Sequence, residues 1–298
     1  MFWQTSRFQI DLRTPKVMGI VNLTPDSFSD GGQFDSPQQA IAHAQRLVEE
    51  GADILDIGGE STRPGAPKVP LAQELARVMP VIQELVRWQI PISIDTYKPE
   101  VMQAALDAGV DIINDIWALR QPGALQAVAA HPHCGVCLMH MHGEPATMQL
   151  LPMQGEVVTP VAAFLKERLQ TLMQLGVQEE RVALDPGVGF GKTVAQNFSL
   201  LAQQQELLAL GRALLVGWSR KSSLGAVTGC EVQDRLVPSV AAALLGVERG
   251  AHLVRVHDVA ATVAALKVHQ AARDVQASQT GQASQTVQAS QTVQTVAD

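Results

Sequence analysis

Asp95, Asn114 and Asp185 each stand at or just past the end of a short aliphatic run, and Arg63, Arg220, Lys221, Arg255 and His257 follow three other runs. Two carboxylates and an amide converging on one place suit a flat heterocycle rich in N–H groups, because each carboxylate can accept paired hydrogen bonds. The cations, most of them after the last two runs, suit a phosphate. Together they describe a polar heterocycle with a phosphate-bearing arm. A single aspartate at a strand end is more often a helix cap than a ligand. Here a polar residue recurs at the same phase of every run: Asn22, then Asp56 with residues 60–63, Asp95, Asn114 with Asp115, His140 with His142, Asp185, Ser219 with its two neighbours, and Arg255 with His257. Capping alone does not account for that regularity.

Two stretches suggest other chemistry. LDPGVGFGKT (184–193) resembles a nucleotide-binding loop, but the G-x-x-x-x-G-K-[ST] spacing puts Pro186 where the first glycine belongs. Proline has no N–H to offer a phosphate. HPHCGVCLMHMH (131–142) holds a C-x-x-C and four histidines, a weak metal or redox signal without a second cysteine pair. Cys137 falls inside an aliphatic run, where cysteine packs as a small hydrophobe.

The elements that must position these residues are legible in the pattern. Nearly continuous apolar runs occur at 17–21, 54–57, 92–94, 111–113, 135–139, 182–184, 213–216 and 253–256, as expected for strands buried on both faces of a parallel sheet. Helical patterns alternate with them. Ser36-Pro37-Gln38-Gln39 reads as an N-cap, a first-turn proline and a capping-box glutamine, and Gly51 ends that helix. Pro70 and Pro99 mark two further starts, and Pro80 predicts a kink or early break. Eight strand–helix units in one chain of this length imply a single-domain α/β fold, the (β/α)8 TIM barrel, over residues 1–274. An open doubly wound sheet is the alternative, but no G-x-G-x-x-G follows the first strand.

The composition bounds the partners. Of 298 residues 46% are hydrophobic and 17% charged, with a formal net charge of −7. That is no basic field for nucleic acid. No segment is long and apolar enough for a signal peptide or a membrane span, and the three cysteines suit a reducing compartment, so a cytoplasmic protein is expected. From 275 to 298 the unit Ala-Ser-Gln-Thr recurs every six residues with almost no charge. Such a tail buries too little to offset its ordering entropy, so it is expected to be disordered and outside the fold.

Motifs along most of residues 16–270 resemble the bacterial dihydropteroate synthases: MGIVNLTPDSFSDGG (18–32), GGESTRPGA (58–66), SIDTYKPEV (93–101), NDI (114–116), LMHMHGEPATMQ (138–149), LDPGVGFGKT (184–193), SRKSSLG (219–225) and RVHDV (255–259). The resemblance implies the barrel, usually a homodimer, and a magnesium-dependent step of folate synthesis. In that step 6-hydroxymethyl-7,8-dihydropterin diphosphate and 4-aminobenzoate give 7,8-dihydropteroate and pyrophosphate, with sulfonamides competing for the aminobenzoate site. It implies a pterin pocket of Asp95, Asn114, Asp185 and Lys221, shaped by Ile116, Met139, Phe190 and Gly217. Thr62, Arg63, Arg255, Val256 and His257 would hold the diphosphate, and Asn22 the Mg²⁺. Phe28, Arg63, Pro64, Phe190, Ser219 and Lys221 would form the aminobenzoate site, with mobile loops at 24–35 and 61–69 closing over it. Lys221, Arg63, Arg255, His257 and Asp185 would act in an SN1-like reaction without a covalent enzyme intermediate. Asp30 and Asp35 are loop caps or approach the metal, and Lys192 is expected at the surface. Tyr97, Trp117 and Trp218 beside the motifs are bulky enough to alter access. A methyl-transferring pterin barrel would share the anchors but needs no diphosphate cluster. A non-catalytic pterin binder would be expected to show a broken motif.

Overall fold

In the computed structural model, residues 1–24, 37–63, 65–145 and 147–294 are described, with side chains to residue 276. Eight parallel strands close a barrel: β3 (Lys16–Asn22), β4 (Ile54–Gly58), β5 (Ile92–Asp95), β6 (Ile112–Asp115), β7 (Gly135–Met139), β8 (Val182–Asp185), β9 (Ala213–Val216) and β10 (Leu253–Val256). They pair in chain order, and β10 returns to β3. This is the TIM barrel that the alternating pattern predicts, and the closure removes the open-sheet alternative.

The period of two along each strand divides the core. Leu55, Ile57, Ile92, Ile94, Leu138, Leu184, Val216 and Val254 face the surrounding helices. Met18, Ile54, Ile112, Cys137, Ala183, Leu215 and Leu253 fill the barrel's interior at its N-terminal end. Cys137 therefore packs as an apolar residue. A hairpin the sequence pattern does not reveal, β1 (Phe2–Gln4) with β2 (Gln9–Asp11), plugs that end. Trp3, Ile10 and Leu12 join the inner cluster, and the Trp3 indole donates to the Arg181 carbonyl at 2.9 Å. With the floor closed by apolar groups, polar inward-facing side chains are left only at the opposite end.

The helices between the strands are α1 (Pro37–Glu49), α2 (Leu71–Leu85), α3 (Pro99–Asp107), α4 (Ala124–Ala130), α5 (Val158–Gln174), α6 (Val194–Ala202), α7 (Gln205–Leu208), α8 (Ser222–Thr228), α9 (Leu236–Glu248) and α10 (Val259–Gln294). Ser36 lies outside the described residues. The break expected at Pro80 does not occur, because α2 runs on to Leu85. Pro80 and Ala76, one turn earlier, both face solvent, where water can serve the carbonyl that proline leaves without a donor. Helix α10 carries its backbone past the boundary expected at 275, to Gln294, while residues 271–276 are already exposed. No helix of the described residues is long and apolar enough to cross a membrane.

Candidate active site

At the C-terminal ends of the strands lies a cavity of about 340 Å³. The inward phase that places Met18 and Ile54 below places Asn22, Asp56, Asp95, Asn114, Met139, Asp185, Gly217, Arg255 and His257 above. Of the residues expected in the site, Asn22, Thr62, Arg63, Asp95, Asn114, Ile116, Met139, Asp185, Phe190, Gly217, Ser219, Lys221, Arg255 and His257 all line this cavity. Val256 does not. It takes the outward phase beside Arg255, and its side chain is buried in the helix-facing core. Phe28, Asp30, Asp35, Pro64 and most of the 24–35 loop lie outside the described residues.

The floor is a charge network. Arg255 donates from Nε to Asp56 Oδ2 at 2.6 Å and from Nη2 to Asp95 Oδ2 at 2.7 Å. Asn114 donates to the same Asp56 oxygen at 3.2 Å. Asp95 Oδ1 is buried and has no partner among the described residues. Burial pushes the Asp95 carboxyl up, and Arg255 pulls it back. Burial alone would lower the Arg255 guanidinium, but Asp56 and Asp95 raise it, so it stays charged. The sequence groups Arg255 with the cations of the diphosphate; in the structure it pairs with both acids of the floor and also lines the cavity.

Asp185 ends β8, and its Oδ1 accepts the Gly187 N–H at 2.7 Å. The turn between them needs glycine. Gly187 has φ +68°, and a Cβ there would come 1.8 Å from the His140 carbonyl oxygen. The turn brings Phe190 back over the cavity, where it clusters with Ile116, Met139, Met141 and Met148 as an apolar wall. The Lys221 ammonium lies 4.3 Å from the Phe190 ring centroid. Burial draws Lys221 down to about 8, while Asp185 works to hold its charge.

At the rim, Ser219 Oγ accepts the His257 backbone N–H at 3.1 Å and lies 3.0 Å from His257 Nδ1. Donation of the hydroxyl proton to Nδ1 would leave the ring proton on Nε2, facing the cavity. Burial, with Arg220 and Arg255 nearby, drives His257 down to about 3. As it stands the ring is neutral, whereas the sequence groups it with the cations. Arg220 occupies the left-handed region at φ 58°. Its N–H is accepted by Ser239 Oγ at 2.9 Å, its carbonyl accepts from Arg235 at 3.2 Å, and its guanidinium pairs with Asp258 at 2.6 Å. Arg63 is exposed at the mouth.

Other expected residues go elsewhere. Asp115 faces outward and caps the following turn, accepting from Trp117 N at 2.8 Å and Leu119 N at 2.7 Å. Tyr97, Trp117 and Trp218 do not line the cavity. Trp218 is buried against Phe198, and the Tyr97 hydroxyl donates at 2.9 Å to Glu60, which does line it. Lys192 is not a surface residue: it is 2% exposed, folded under the Asp185 turn. Arg235 and Met148 also line the cavity and are not foreseen. Both lie in loops away from the strand ends, so the strand-end phase carries no sign of them.

Among the described residues no group of three His, Cys, Asp or Glu could hold a metal. Asn22 offers one neutral oxygen at the cavity wall. That donor set fits only an ion such as Mg²⁺ that keeps water and substrate oxygens as its remaining ligands.

The pattern of the pterin binding enzyme family matches residues 18–257. The chain is similar to a dihydropteroate synthase of Neisseria meningitidis serogroup B, 52% identical over 275 residues, covering 90% of this chain and 96% of the relative. It is similar to the structure of Xanthomonas albilineans dihydropteroate synthase with 4-aminobenzoic acid, with a TM-score of 0.84 at 54% identity over 89% of this chain and 95% of that one. It is also similar to the structure of Burkholderia cenocepacia dihydropteroate synthase complexed with 7,8-dihydropteroate, with a TM-score of 0.86 at 52% identity over 93% and 98% of the two chains.

Proposed function

The chain belongs to the pterin binding enzymes and, within them, to the dihydropteroate synthases, and from that premise we infer the reaction it performs and the part each side chain takes. It condenses 6-hydroxymethyl-7,8-dihydropterin diphosphate with 4-aminobenzoate, giving 7,8-dihydropteroate and pyrophosphate. The observation that carries this reading is one cavity with acceptors at its floor, Asp95, Asn114 and Asp185, and donors Arg63, Lys221 and His257 toward its mouth.

Asp95 Oδ1, which has no partner among the described residues, and the remaining oxygen of Asp185 would accept the ring N–H groups of the pterin. Asn114 spends its amide N–H on Asp56, so its carbonyl oxygen would face the ring. Ile116, Met139 and Phe190 would hold the ring's faces and exclude water. As the C–O bond to the diphosphate breaks, negative charge grows on the leaving group and positive charge on the pterin methylene. Arg63, Lys221 and the Nε2–H of His257 would stabilise the first, and the Asp185 carboxylate the second. The aniline nitrogen is nucleophilic without a strong base, so ionisation can precede its attack. Thr62 and Ser219 would supply neutral donors at the rim, and Phe28 and Pro64 would complete the aminobenzoate side.

Asn22 would hold Mg²⁺ together with diphosphate oxygens and water, and the ion when bound would neutralise part of the leaving charge. We also propose that the protein is cytoplasmic and homodimeric. Exposed Val227, Val232, Leu236, Val237 and Leu245, on and between the consecutive helices α8 and α9, support the second statement. A stable monomer by light scattering at micromolar concentration would refute it.

The reaction is tested by pyrophosphate release from the dihydropterin diphosphate, with and without 4-aminobenzoate and Mg²⁺. Release that needs both, with dihydropteroate formed in step, is expected. Tight pterin binding without release would sink the reading.

A further inference from the structure

The turn that carries Asp185 and Phe190 is tied down by a lysine that does not line the cavity. Lys192 Nζ lies 2.9 Å from the Gly187 carbonyl, 3.1 Å from the Phe190 carbonyl and 3.0 Å from His140 Nδ1, with the His140 carbonyl further off at 3.4 Å. An ammonium has three donors, and here it meets three acceptors at hydrogen-bonding distance. Two acceptors belong to the turn itself and the third to the exit of the neighbouring strand, β7. The turn lies directly on that exit: a Cβ at Gly187 would meet the His140 carbonyl, and one at Gly191 would come 2.3 Å from the His142 carbonyl. No side chain but a long one with a terminal donor set can reach into this space. His140 is 6% exposed and is kept neutral by burial and by Lys192 itself, which leaves Nδ1 free to accept.

We propose that Lys192 is a positioning residue for the pterin subsite: its three hydrogen bonds to Gly187, Phe190 and His140 fix the turn on β7, and so fix the Asp185 carboxylate and the Phe190 ring on either side of the heterocycle. The proposal rests on the pterin reading given above. Three further hydrogen bonds hold the turn's middle and far end: Gly189 N–H to Asn197 Oδ1 at 2.8 Å, Gln149 Nε2 to the Gly189 carbonyl at 2.7 Å, and Met153 N–H to the Gly191 carbonyl at 2.9 Å. None of these reaches the Gly187 or Phe190 carbonyl: besides the lysine, the first accepts the Phe190 N–H from within the turn at 3.1 Å, and the second the His142 N–H at the long distance of 3.5 Å. Without the lysine, the only link from these two carbonyls to the exit of β7 among the described residues is that 3.5 Å contact with His142.

The test is Lys192→Met, close in length but without donors. Binding of 6-hydroxymethylpterin, which has the ring and no diphosphate, is measured by calorimetry on the folded fraction, alongside KM for each substrate. The pterin Kd and KM are expected to rise tenfold or more. The aminobenzoate KM, at saturating pterin, is expected to change less than threefold, because the Ser219 and Arg63 side of that site is not held by Lys192. If the methionine variant does not fold, Lys192→Gln, which keeps two donors, is put through the same comparison, with a smaller rise in pterin Kd expected. A pterin Kd within twofold of wild type in a folded variant overturns the proposal. So does a fall in kcat alone with both KM values unchanged, the signature of lost active protein. Wild-type protein that binds the pterin but releases no pyrophosphate defeats the functional reading alone, since the Lys192 comparison reads pterin binding without turnover.

Discussion

Arg255 on the last barrel strand donates to Asp56 on the second at 2.6 Å, closing a contact between residues 199 positions apart in the chain. With Asp95 on the other side of the guanidinium, two acids share one base at the centre of the site. The arrangement sets where the pterin acceptors point before any substrate arrives. It also offsets the repulsion between Asp95 and Asp56.

Removing the base leaves both carboxylates buried without a counter-charge. Breaking a buried pair in this way costs about 3–5 kcal/mol. Arg255→Gln is therefore expected to lower the unfolding free energy from urea titration by an amount of that order, with a lower midpoint, and to abolish pterin binding. An unchanged midpoint would mean that the pair does not hold the floor.

Among the cations that line the cavity, Lys221 is the one whose protonation changes nearest working pH. Burial lowers it to about 8, so its charge is present below that pH and is lost as pH rises through it. The pH profile of kcat/KM, which reports the free enzyme, is expected to fall on an alkaline limb near 8. Lys221→Met is expected to reduce kcat/KM by on the order of 10²-fold at neutral pH. A limb unchanged in position in Lys221→Arg would assign it to another group.

His257 is a neutral ring in contact with Ser219, and under the proposed reaction it would donate from Nε2 in the tautomer that Ser219 sets. Ser219→Ala frees the ring to hold its proton on Nδ1, facing away from the diphosphate. A loss of roughly tenfold in kcat/KM is expected, about the worth of one hydrogen bond. A fall in kcat/KM as pH rises through 6 to 7 that disappears in His257→Asn would show instead that an imidazolium is needed.

His140 gives the acid side of stability. Burial and Lys192 depress its folded-state value from 6.5 to about 2, so below 6.5 the unfolded chain binds a proton that the folded chain refuses. Its contribution is present above pH 6.5 and is lost as pH falls. Asp115, raised by burial to about 7, works in the opposite sense over part of the same range, so the comparison must be made against a variant. His140→Gln is expected to lose less stability than wild type on acidification, by about 1.4 kcal/mol per pH unit below 6.5. Parallel urea midpoints from pH 6.5 to 5 would refute it.

Gly187→Ala tests the turn under Asp185. The new methyl must sit 1.8 Å from the His140 carbonyl oxygen in a backbone of positive φ. A destabilisation of about 2–4 kcal/mol, with pterin binding lost, is expected by denaturant titration.

The sequence alone determined the barrel, the strand positions and most of the floor, because those follow from local periodicity. An apolar run of fixed phase ends where the barrel opens, so Asp95, Asn114, Asp185 and Lys221 could be read from position alone. Cys137 could be read as packing, since it falls inside a run. What the tertiary structure decided was charge and direction. That Arg255 serves the floor, that His257 is neutral and that Asp115 turns outward depend on which groups meet across the barrel, over separations no local pattern encodes. Lys192 makes the point most plainly. In the sequence it is a lysine in a glycine-rich loop, and such lysines belong to solvent. It is buried because the turn after Asp185 presents two carbonyls, and the exit of β7 an imidazole nitrogen, to a single point that only a long cationic side chain can reach.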